Sequence, residues 1–372
     1  MELFFYGKKT EKEIFDEVDK YSVVNYKIDE NSNIIMKGDN FICLSSLMCK
    51  YKGKIDLIYI DPPFNTDNIF YLSQERANTI SSSSNNSAVA YTDKMDKEVF
   101  LEFLRERLVI LRELLTEEGS IYLHIDYKIG HYVKVVMDEI FGEENFKNDI
   151  TRIKSNPKNF FRKAYGNEKD LILFYAKNSK KNIWNDIKIP LDKEEIIERF
   201  NKTDSSGRKY TTIPLHAPGE TKNGATSKAW RNIPVPAGRH WRTDPAEFDK
   251  LDAEGHIEWS STGNPRIKKY ADEHKGKKIQ DIWKFKDPQK PIYPTEKNLK
   301  MIETIILQSS LKKSIVLDCF AGSGSTLLAA QMCGRRWIGI DNSEHAIKTM
   351  MGRNLEKYQY IDISKNISDA SK

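Results

Sequence analysis

The sequence predicts a wound α/β fold that a long irregular segment interrupts. Short apolar runs rich in β-branched residues alternate with apolar residues at helical spacing between residues 55 and 176, and this alternation returns near residue 299. Alternation of this kind is typical of a parallel-rich sheet covered by helices. The segment between the two halves is instead rich in Gly, Pro, Lys and Trp. We therefore expect an N-terminal extension (1–36), a first half (37–176), an inserted region (177–290) and a second half (291–372).

The first predicted strand covers residues 55 to 60 and ends at Pro62 and Pro63, because proline cannot donate a hydrogen bond to a sheet ladder. A stretch rich in Ser and Asn follows over residues 72 to 90 and has few apolar side chains to bury. Such a stretch predicts a mobile loop beside the Pro-Pro turn that closes over a substrate.

The rest of the first half continues the alternation. Apolar residues at helical spacing predict a helix over residues 100 to 115, and Gly119 separates this helix from a strand over residues 120 to 125. A second helix then ends at Gly142, and a strand covers residues 171 to 175.

The second half repeats the pattern after the inserted region. A helix is predicted over residues 299 to 306, a strand over 315 to 318, a helix over 327 to 332 and a strand over 337 to 341. A final helix begins near Ser343, whose hydroxyl suits the N-cap position.

Composition excludes several classes of protein. The chain has 372 residues and four cysteines without a paired CxxC spacing, which argues against disulfides and structural zinc. No metal site is expected. No stretch approaches the length of an apolar membrane span, and the first residues lack an apolar secretion segment. These features predict a soluble cytoplasmic protein.

Positive charge is concentrated in the inserted region. Residues 177 to 290 contain 24 Lys and Arg against 17 Asp and Glu, together with five of the six tryptophans. Basic charge mixed with aromatic residues favours a surface that binds nucleic acid. A solvated charged face over an aromatic core is the alternative that composition leaves open.

A glycine-containing loop after the strand 315 to 318 has the form of a nucleotide-binding loop. Backbone N–H groups at the start of the following helix can face a ligand, and glycines allow close approach. Leu327 stands where the dinucleotide fingerprint has its third glycine, so NAD is disfavoured. Asp341, at the end of the next strand, is placed to accept hydrogen bonds from ribose hydroxyls. S-adenosylmethionine has the ribose and lacks phosphates. The candidate cofactor residues here are Asp318, Phe320, Ala321, Gly322, Gly324, Thr326, Asp341 and Asn342.

A second cofactor candidate lies upstream of the first strand, in Gly38-Asp39-Asn40. The Asp39 carboxylate can accept from the amino group of an adenine, or it can cap the helix that follows.

The tetrapeptide Asp61-Pro62-Pro63-Phe64 suits methylation of a base amino group. The lone pair of such an amine is delocalised into the ring, so the site has to hold the nitrogen nearer a tetrahedral geometry. Asp61 and the Pro62 carbonyl can each accept one N–H, Pro63 stiffens the turn, and Phe64 offers a ring for stacking. The alternative is a rigid turn without a catalytic role.

With these motifs in this order, the chain resembles the β class of DNA amino-methyltransferases, and within it the modification subunits of type III restriction systems and related type II adenine methyltransferases. The resemblance spans residues 35 to 355 and includes Gly38-Asp39-Asn40, the tetrapeptide, Tyr293-Pro294-Thr295-Glu296-Lys297 and the glycine loop. It implies a Rossmann-like S-adenosylmethionine-dependent methyltransferase sheet with a circularly permuted motif order, whose catalytic half precedes its cofactor half.

The resemblance also implies roles for the inserted region and for partners. Residues 177 to 290 would contain the target-recognition domain for double-stranded DNA, with Thr295 and Lys297 at the methionine end of the cofactor or capping the next helix. A homodimer and a cognate restriction endonuclease subunit are further implied partners. The candidate DNA-binding residues are Arg231, Arg239, Arg242, Arg266, Lys268 and Lys269.

The leading hypothesis is therefore adenine-N6 methylation of a base flipped out of duplex DNA. An aspartate at the first position of the tetrapeptide favours adenine over cytosine N4, since cytosine enzymes more often have serine there. Methylation of RNA or of a small molecule, and a DNA-binding specificity subunit without catalysis, are the alternatives.

Overall fold

A computed structural model describes residues 2–22, 27–63, 96–155, 163–289, 291 and 296–363, and the backbone alone of residues 68–72 and 88–93. The helices are α1 (Glu11–Ser22), α2 (Asn40–Tyr51), α3 (Lys97–Leu114), α4 (Tyr127–Phe141), α5 (Lys193–Arg199), α6 (Pro245–Ala253), α7 (Leu299–Ser309), α8 (Ser325–Met332) and α9 (Glu344–Met351).

The strands follow the same order along the chain. They are β1 (Asn33–Lys37), β2 (Ile55–Ile60), β3 (Asn68–Leu72), β4 (Ala88–Asp93), β5 (Leu115–Ile125), β6 (Phe146–Ile153), β7 (Lys169–Ala176), β8 (Lys188–Ile189), β9 (Lys202–Thr203), β10 (Lys209–Pro214), β11 (His216–Pro218), β12 (Arg239–Trp241), β13 (Ile257–Trp259), β14 (Pro265–Tyr270), β15 (Lys277–Lys278), β16 (Ile282–Trp283), β17 (Ile315–Asp318), β18 (Arg336–Asp341) and β19 (Tyr358–Asp362).

The chain forms two compact units. Unit 1 comprises Met1–Asp186 and Gln280–Lys372, and unit 2 comprises Ile187–Ile279. The predicted inserted region, 177 to 290, extends beyond unit 2 at both ends. Its first and last residues belong to unit 1, where β16 pairs with β6 at an edge of the sheet.

Unit 1 is built on a mixed sheet in the order β16-β6-β7-β5-β2-β17-β18-β1-β19. Strand β7 runs antiparallel to its neighbours β5 and β6, and the other neighbouring pairs are parallel. The wound α/β fold predicted from the alternation is thus confirmed.

Burial explains why the central strands are so apolar. All of β2 except Asp56 is buried, as expected for a strand in a parallel sheet covered on both faces. Helix α3 packs against α2 and α4, and its buried residues recur at helical spacing: Phe100, Leu101, Leu104, Leu108 and Leu111. Apolar burial of this extent is the main favourable contribution to folding.

Two local predictions were wrong in their bounds. Gly119 lies inside β5 and does not separate a helix from a strand, because β5 already begins at Leu115. The loop predicted over residues 72 to 90 is shorter than expected, because Leu72 ends β3 and residues 88 to 90 begin β4. Strands β3 and β4 pair with each other in antiparallel orientation. Residues 73 to 87 lie outside the described residues.

Unit 2 contains a four-stranded sheet in the order β13-β14-β10-β9 and the two-stranded pairs β11-β12 and β8-β15. An apolar cluster at its centre includes two tryptophans and consists of Leu215, Trp230, Trp241, Phe248, Ile257 and Ile267. The aromatic-core alternative is therefore correct for Trp230 and Trp241, while Trp259 remains partly exposed. Among the described helices of the chain, none combines the length and the apolar character that crossing a membrane requires.

Candidate active site

The tetrapeptide and the glycine loop follow two strands that lie side by side. Strand β2 pairs in parallel with β17 through Leu57 with Val316 and Ile58 with Leu317. Asp61 follows β2 directly, and the loop follows β17. The carboxyl ends of neighbouring parallel strands meet at one edge of a sheet, which is where ligands bind in open α/β folds. The two segments are thus neighbours at this edge of the sheet.

Hydrogen bonds to the Asp318 carboxylate shape the glycine loop. Its carboxylate accepts from the Phe320 backbone N–H at 2.9 Å and from the Thr326 hydroxyl at 2.6 Å, so it holds both ends of the turn. Burial raises the pKa of Asp318 to about 7, although both hydrogen bonds act in the opposite direction. Gly324 precedes α8 in the left-handed conformation, with φ of +77°. Asp318 is therefore a structural anchor of the loop.

Asp341 lies at the end of β18 and contacts the same loop. One carboxylate oxygen accepts from the Gly322 N–H and the other from the Ser343 N–H, each at 2.9 Å. Burial raises the pKa of this carboxyl group. Each carboxylate oxygen has two acceptor sites, so both atoms keep capacity for a ligand hydroxyl. The adjacent Asn342 is exposed.

The segment Gly38-Asp39-Asn40 lies beside these elements because β1 pairs with β18, with Lys37 opposite Asp341. The Asp39 carboxylate accepts from the backbone N–H groups of Phe41 and Ile42 and so caps α2. The Asn40 amide donates to the Cys319 carbonyl at 3.1 Å. The capping alternative for Asp39 is thus correct, and contact with an adenine ring stays a prediction.

Arg107 is a site residue that sequence reasoning missed. Its guanidinium donates to Asn40 Oδ1 at 2.7 Å, lies 3.4 Å from Asp39 Oδ2 and stacks 3.7 Å from the Phe103 ring centroid. Phe103 in turn contacts Phe320 edge to face. Burial lowers the pKa of Arg107, and the nearby carboxylates oppose this shift. Arg107 fixes Asp39 and Asn40 against the loop. In the sequence, the one indication of this role is that Arg107 falls on an otherwise apolar face of the helix predicted over residues 100 to 115.

The two carboxylate oxygens of Asp61 have different contacts. Oδ2 forms an ion pair with the ammonium group of Lys297, which is itself buried. Oδ1 is buried and accepts no hydrogen bond from the described residues. Pro62 is buried and Pro63 partly buried, whereas Phe64 and Thr295 lie outside the described residues. Lys297 therefore contacts Asp61, a partner that the sequence did not predict.

A chain of buried polar groups extends from Asp61 across the sheet. His124 Nδ1 lies 3.8 Å from Asp61 Oδ1 and 3.0 Å from the Tyr59 hydroxyl, and its Nε2 lies 2.9 Å from Asp170. Burial opposes ionisation of Asp170, yet the hydrogen bond from His124 and the charges of Lys154 and Arg152 hold its pKa below the usual range.

An ionised Asp170 can only accept, so Nε2 of His124 carries the proton and Nδ1 accepts from the Tyr59 hydroxyl. Burial lowers the pKa of His124, which favours this neutral form. Arg152 continues the chain from Asp170 at 3.3 Å to an ion pair with Asp287. The polar groups behind Asp61, namely His124, Asp170 and Arg152, are thus buried and bonded to one another.

The candidate DNA-binding residues lie in unit 2 and differ in their surroundings. Arg231 is paired with Asp249 and Asp252, whereas the other arginines contact neutral groups. On β14, Lys268 lies over the Tyr210 ring and Lys269 is exposed.

Comparison with known proteins gives consistent matches. The family model described as DNA methylase (N6_N4_Mtase) matches residues 55–352. The type II methyltransferase M.EcaI of Enterobacter cloacae is 41% identical over 360 residues, which cover 93% of this chain and 76% of the relative.

The StyLTI Mod subunit of a type III restriction-modification enzyme from Salmonella typhimurium is 29% identical over 358 residues. That match covers 86% of this chain and 52% of the subunit, so the chain spans about half of its length. Among solved structures, the M1.HpyAVI-SAM complex is 18% identical with a TM-score of 0.44, covering 86% of this chain and 98% of that one.

Proposed function

Because the chain belongs to the DNA methylase family and is a DNA methyltransferase, we propose that it methylates adenine N6 in duplex DNA with S-adenosylmethionine as donor. The observation that carries the proposal is the Asp61 carboxylate beside the glycine loop. Its Oδ1 is buried and takes no hydrogen bond from the described residues, so it offers an acceptor to an amino group of a flipped-out base.

The cofactor fits the groups at the strand ends. S-adenosylmethionine, when bound, supplies an electrophilic methyl group on a sulfonium sulfur. The loop around Gly322 leads into the start of α8, and Asp341, which accepts from the Gly322 N–H, keeps acceptor capacity for ribose hydroxyls. Asp39 is the candidate acceptor for the cofactor's adenine. Lys297 and Thr295 stay predicted contacts of its methionine end.

Asp61 and Pro62 would prepare the amine for reaction. Oδ1 of Asp61 accepts one amino N–H and the Pro62 carbonyl accepts the other, which localises the nitrogen lone pair toward the methyl group. In the reaction the nitrogen would gain the methyl group as the methyl–sulfur bond breaks, leaving a neutral thioether, and the nitrogen would lose one proton to Asp61 or to solvent. The ion pair with Lys297 orients the Asp61 carboxylate. Phe64 is proposed to stack on the base.

The choice of adenine rests on Asp61 as the first residue of the tetrapeptide. The restriction-modification context rests on relatives that are named as type II methyltransferases and type III Mod subunits. In this proposal residues 37–176 form the catalytic half, 291–372 the cofactor half, and the region 177–290, which contains unit 2, recognises DNA. A cognate restriction endonuclease subunit and a homodimer stay predictions.

Nucleoside analysis tests the base. The protein is incubated with duplex DNA and isotopically labelled S-adenosylmethionine, and the digested DNA is analysed by mass spectrometry. We expect labelled N6-methyladenine. N4-methylcytosine without N6-methyladenine would contradict the choice of base and leave the family intact. A parallel reaction with RNA of the same sequence separates DNA from RNA as substrate.

A further inference from the structure

Acidic side chains neutralise two arginines on the surface of unit 2. Arg208 pairs with Asp272 at 2.8 Å and with Glu273 at 2.7 Å. Arg231 pairs with Asp249 at 2.8 Å and also with Asp252. A guanidinium that already binds two carboxylates would have to give up both interactions to bind another anion. These two residues are therefore poor candidates for binding a polyanion.

Three other arginines of unit 2 have no carboxylate at ion-pair distance among the described residues. Arg239 Nη1 lies 3.4 Å from His216 Nδ1, and Arg242 Nε donates to the Pro214 carbonyl at 2.9 Å. Arg266 donates to the Thr212 hydroxyl and carbonyl, both at 2.8 Å. These contacts orient the guanidinium groups and leave their charge uncompensated. Arg239 and Arg242 are exposed, and Arg266 is partly exposed.

Strand pairing brings these arginines to one place around His216. In the β11-β12 pair, His216 lies opposite Trp241 and Pro218 opposite Arg239, so His216 and Arg239 are on the same face. The backbone N–H of Arg242 donates to the Leu215 carbonyl. We call His216, Arg239, Arg242 and Arg266 the His216 cluster.

Arg266 joins the cluster from the four-stranded sheet, where it lies opposite Pro214 on β10 and opposite Glu258 on β13. Glu258 does not neutralise it. The two Glu258 carboxylate oxygens bind Lys202 and the Tyr210 hydroxyl instead. This cross-strand acid is thus already occupied.

We propose that the His216 cluster binds phosphate groups of the DNA backbone, an inference that rests on DNA being the substrate of the proposed function. Guanidinium groups match phosphate oxygens in charge and in hydrogen-bond geometry. Phosphate contacts account for much of the affinity of proteins for DNA and set the register of the protein on the duplex. Arg231, which the sequence placed with these residues, is assigned a structural role.

His216 gives the cluster a dependence on pH. Burial and the positive charges of Arg239, Arg242 and Arg266 lower the pKa of the His216 imidazole. The other histidine of this strand pair, His240, alternates to the opposite face and contacts the Gly219 carbonyl. A bound phosphate offsets the arginine charges and favours the imidazolium. Binding therefore takes up a proton, and affinity should rise as the pH falls into the acidic range.

The test compares DNA binding of Arg239→Gln/Arg242→Gln/Arg266→Gln with that of Arg208→Gln, a matched control whose arginine is already paired. Fluorescence anisotropy with two unrelated duplexes gives Kd across a salt series, and thermal unfolding confirms that each variant is folded. Each lost phosphate contact should reduce the slope of log K against log salt by about 0.9, hence by up to about 2.7 for the triple variant. The control should keep the wild-type slope.

Several results would overturn the assignment. These are an unchanged slope in a folded triple variant, an equal fall in the Arg208→Gln control, or loss of affinity for only one of the two duplexes, which would indicate base reading. His216→Asn should remove the gain in affinity at low pH while keeping the salt slope, and persistence of that gain would contradict the role of His216. Because binding is measured without methyl transfer, failure of the cluster is distinct from failure of the nucleoside analysis.

Discussion

The Lys297 ammonium group forms an ion pair with the Asp61 carboxylate across 236 residues of sequence. The pair joins the turn after β2 to the segment that precedes α7. Both partners are largely buried. In a buried environment an ion pair is strong, and the loss of one partner is costly. The residue predicted to contact the cofactor thus contacts the residue predicted to contact the base.

Replacing Asp61 should separate methyl transfer from cofactor binding. Asp61→Ala removes the proposed acceptor for the amino N–H, and the rate of methyl transfer should fall by roughly 100-fold or more, the usual effect of losing a preorganised group that acts on the reacting atoms. Methyl incorporation measures the rate, and calorimetry measures cofactor affinity, which should stay within a few-fold of wild type. Near-normal activity would refute the assigned role. Asp149→Asn, on the exposed part of β6, is the control.

Lys297→Met should reduce the rate of methyl transfer, because it removes the ion pair that orients the Asp61 carboxylate. Lys297→Arg keeps the charge and should restore part of the rate. Methyl incorporation at saturating cofactor measures kcat. If Lys297→Met changed only the KM for the cofactor and left kcat in place, the ion pair would have no role in the chemistry.

Asp318 should make the folded state less stable as the pH rises. Its pKa of about 7 lies above the ordinary value near 4, so the folded state retains a proton that the unfolded chain releases. The contribution of this group to the free energy of unfolding is therefore greatest below about pH 4 and falls toward pH 7, by at most about 1.4 kcal/mol per pH unit. Urea unfolding at several pH values measures it.

Asp318→Asn should flatten this part of the stability profile, because the amide can still accept from the Phe320 N–H and pair with Thr326. The exposed Asp149→Asn variant should retain the wild-type slope. A slope that is identical in wild type and Asp318→Asn would show that the carboxyl group titrates normally.

Gly324→Ala should destabilise the glycine loop for two reasons. An added Cβ would meet Met350 Cγ at 2.7 Å, and the backbone φ of +77° disfavours any side chain. Gly263 has a similar φ of +76° with nothing within 4 Å of an added Cβ, so Gly263→Ala isolates the backbone cost, about 1 to 2 kcal/mol. Thermal unfolding should show a larger loss for Gly324→Ala, together with weaker cofactor binding. Equal losses of thermal stability in the two variants would mean that the Met350 side chain moves aside without a measurable energetic penalty.

Sequence patterns predicted those parts of the site that depend on local chain geometry. Asp61 after an apolar strand and Asp318 before a glycine loop were recognisable because strand ends, prolines and glycines leave local signatures. The α/β alternation predicted a sheet that contains both strands, whereas their pairing as neighbours comes from the fold.

Tertiary pairings were not predictable in this way. His124 stands in the run Ile121-Tyr122-Leu123-His124-Ile125, which has the pattern of an ordinary buried strand, and its partner Asp170 comes from another strand. Arg231 and Arg239 are equally basic in sequence, and only the fold shows that Asp249 and Asp252 neutralise the first. Long-range contacts of this kind depend on how strands and helices come together.

The paired strands β8 and β15 have a consequence for how such a protein can diversify. Lys277 lies opposite Ile189, so the chain enters and leaves unit 2 at points about 5 Å apart. A segment whose two ends meet can be exchanged for one of different length without altering the spacing of the residues that flank it. Residues 187 to 279 can therefore be exchanged as one segment during evolution, while the sheet that carries Asp61 and the glycine loop stays the same.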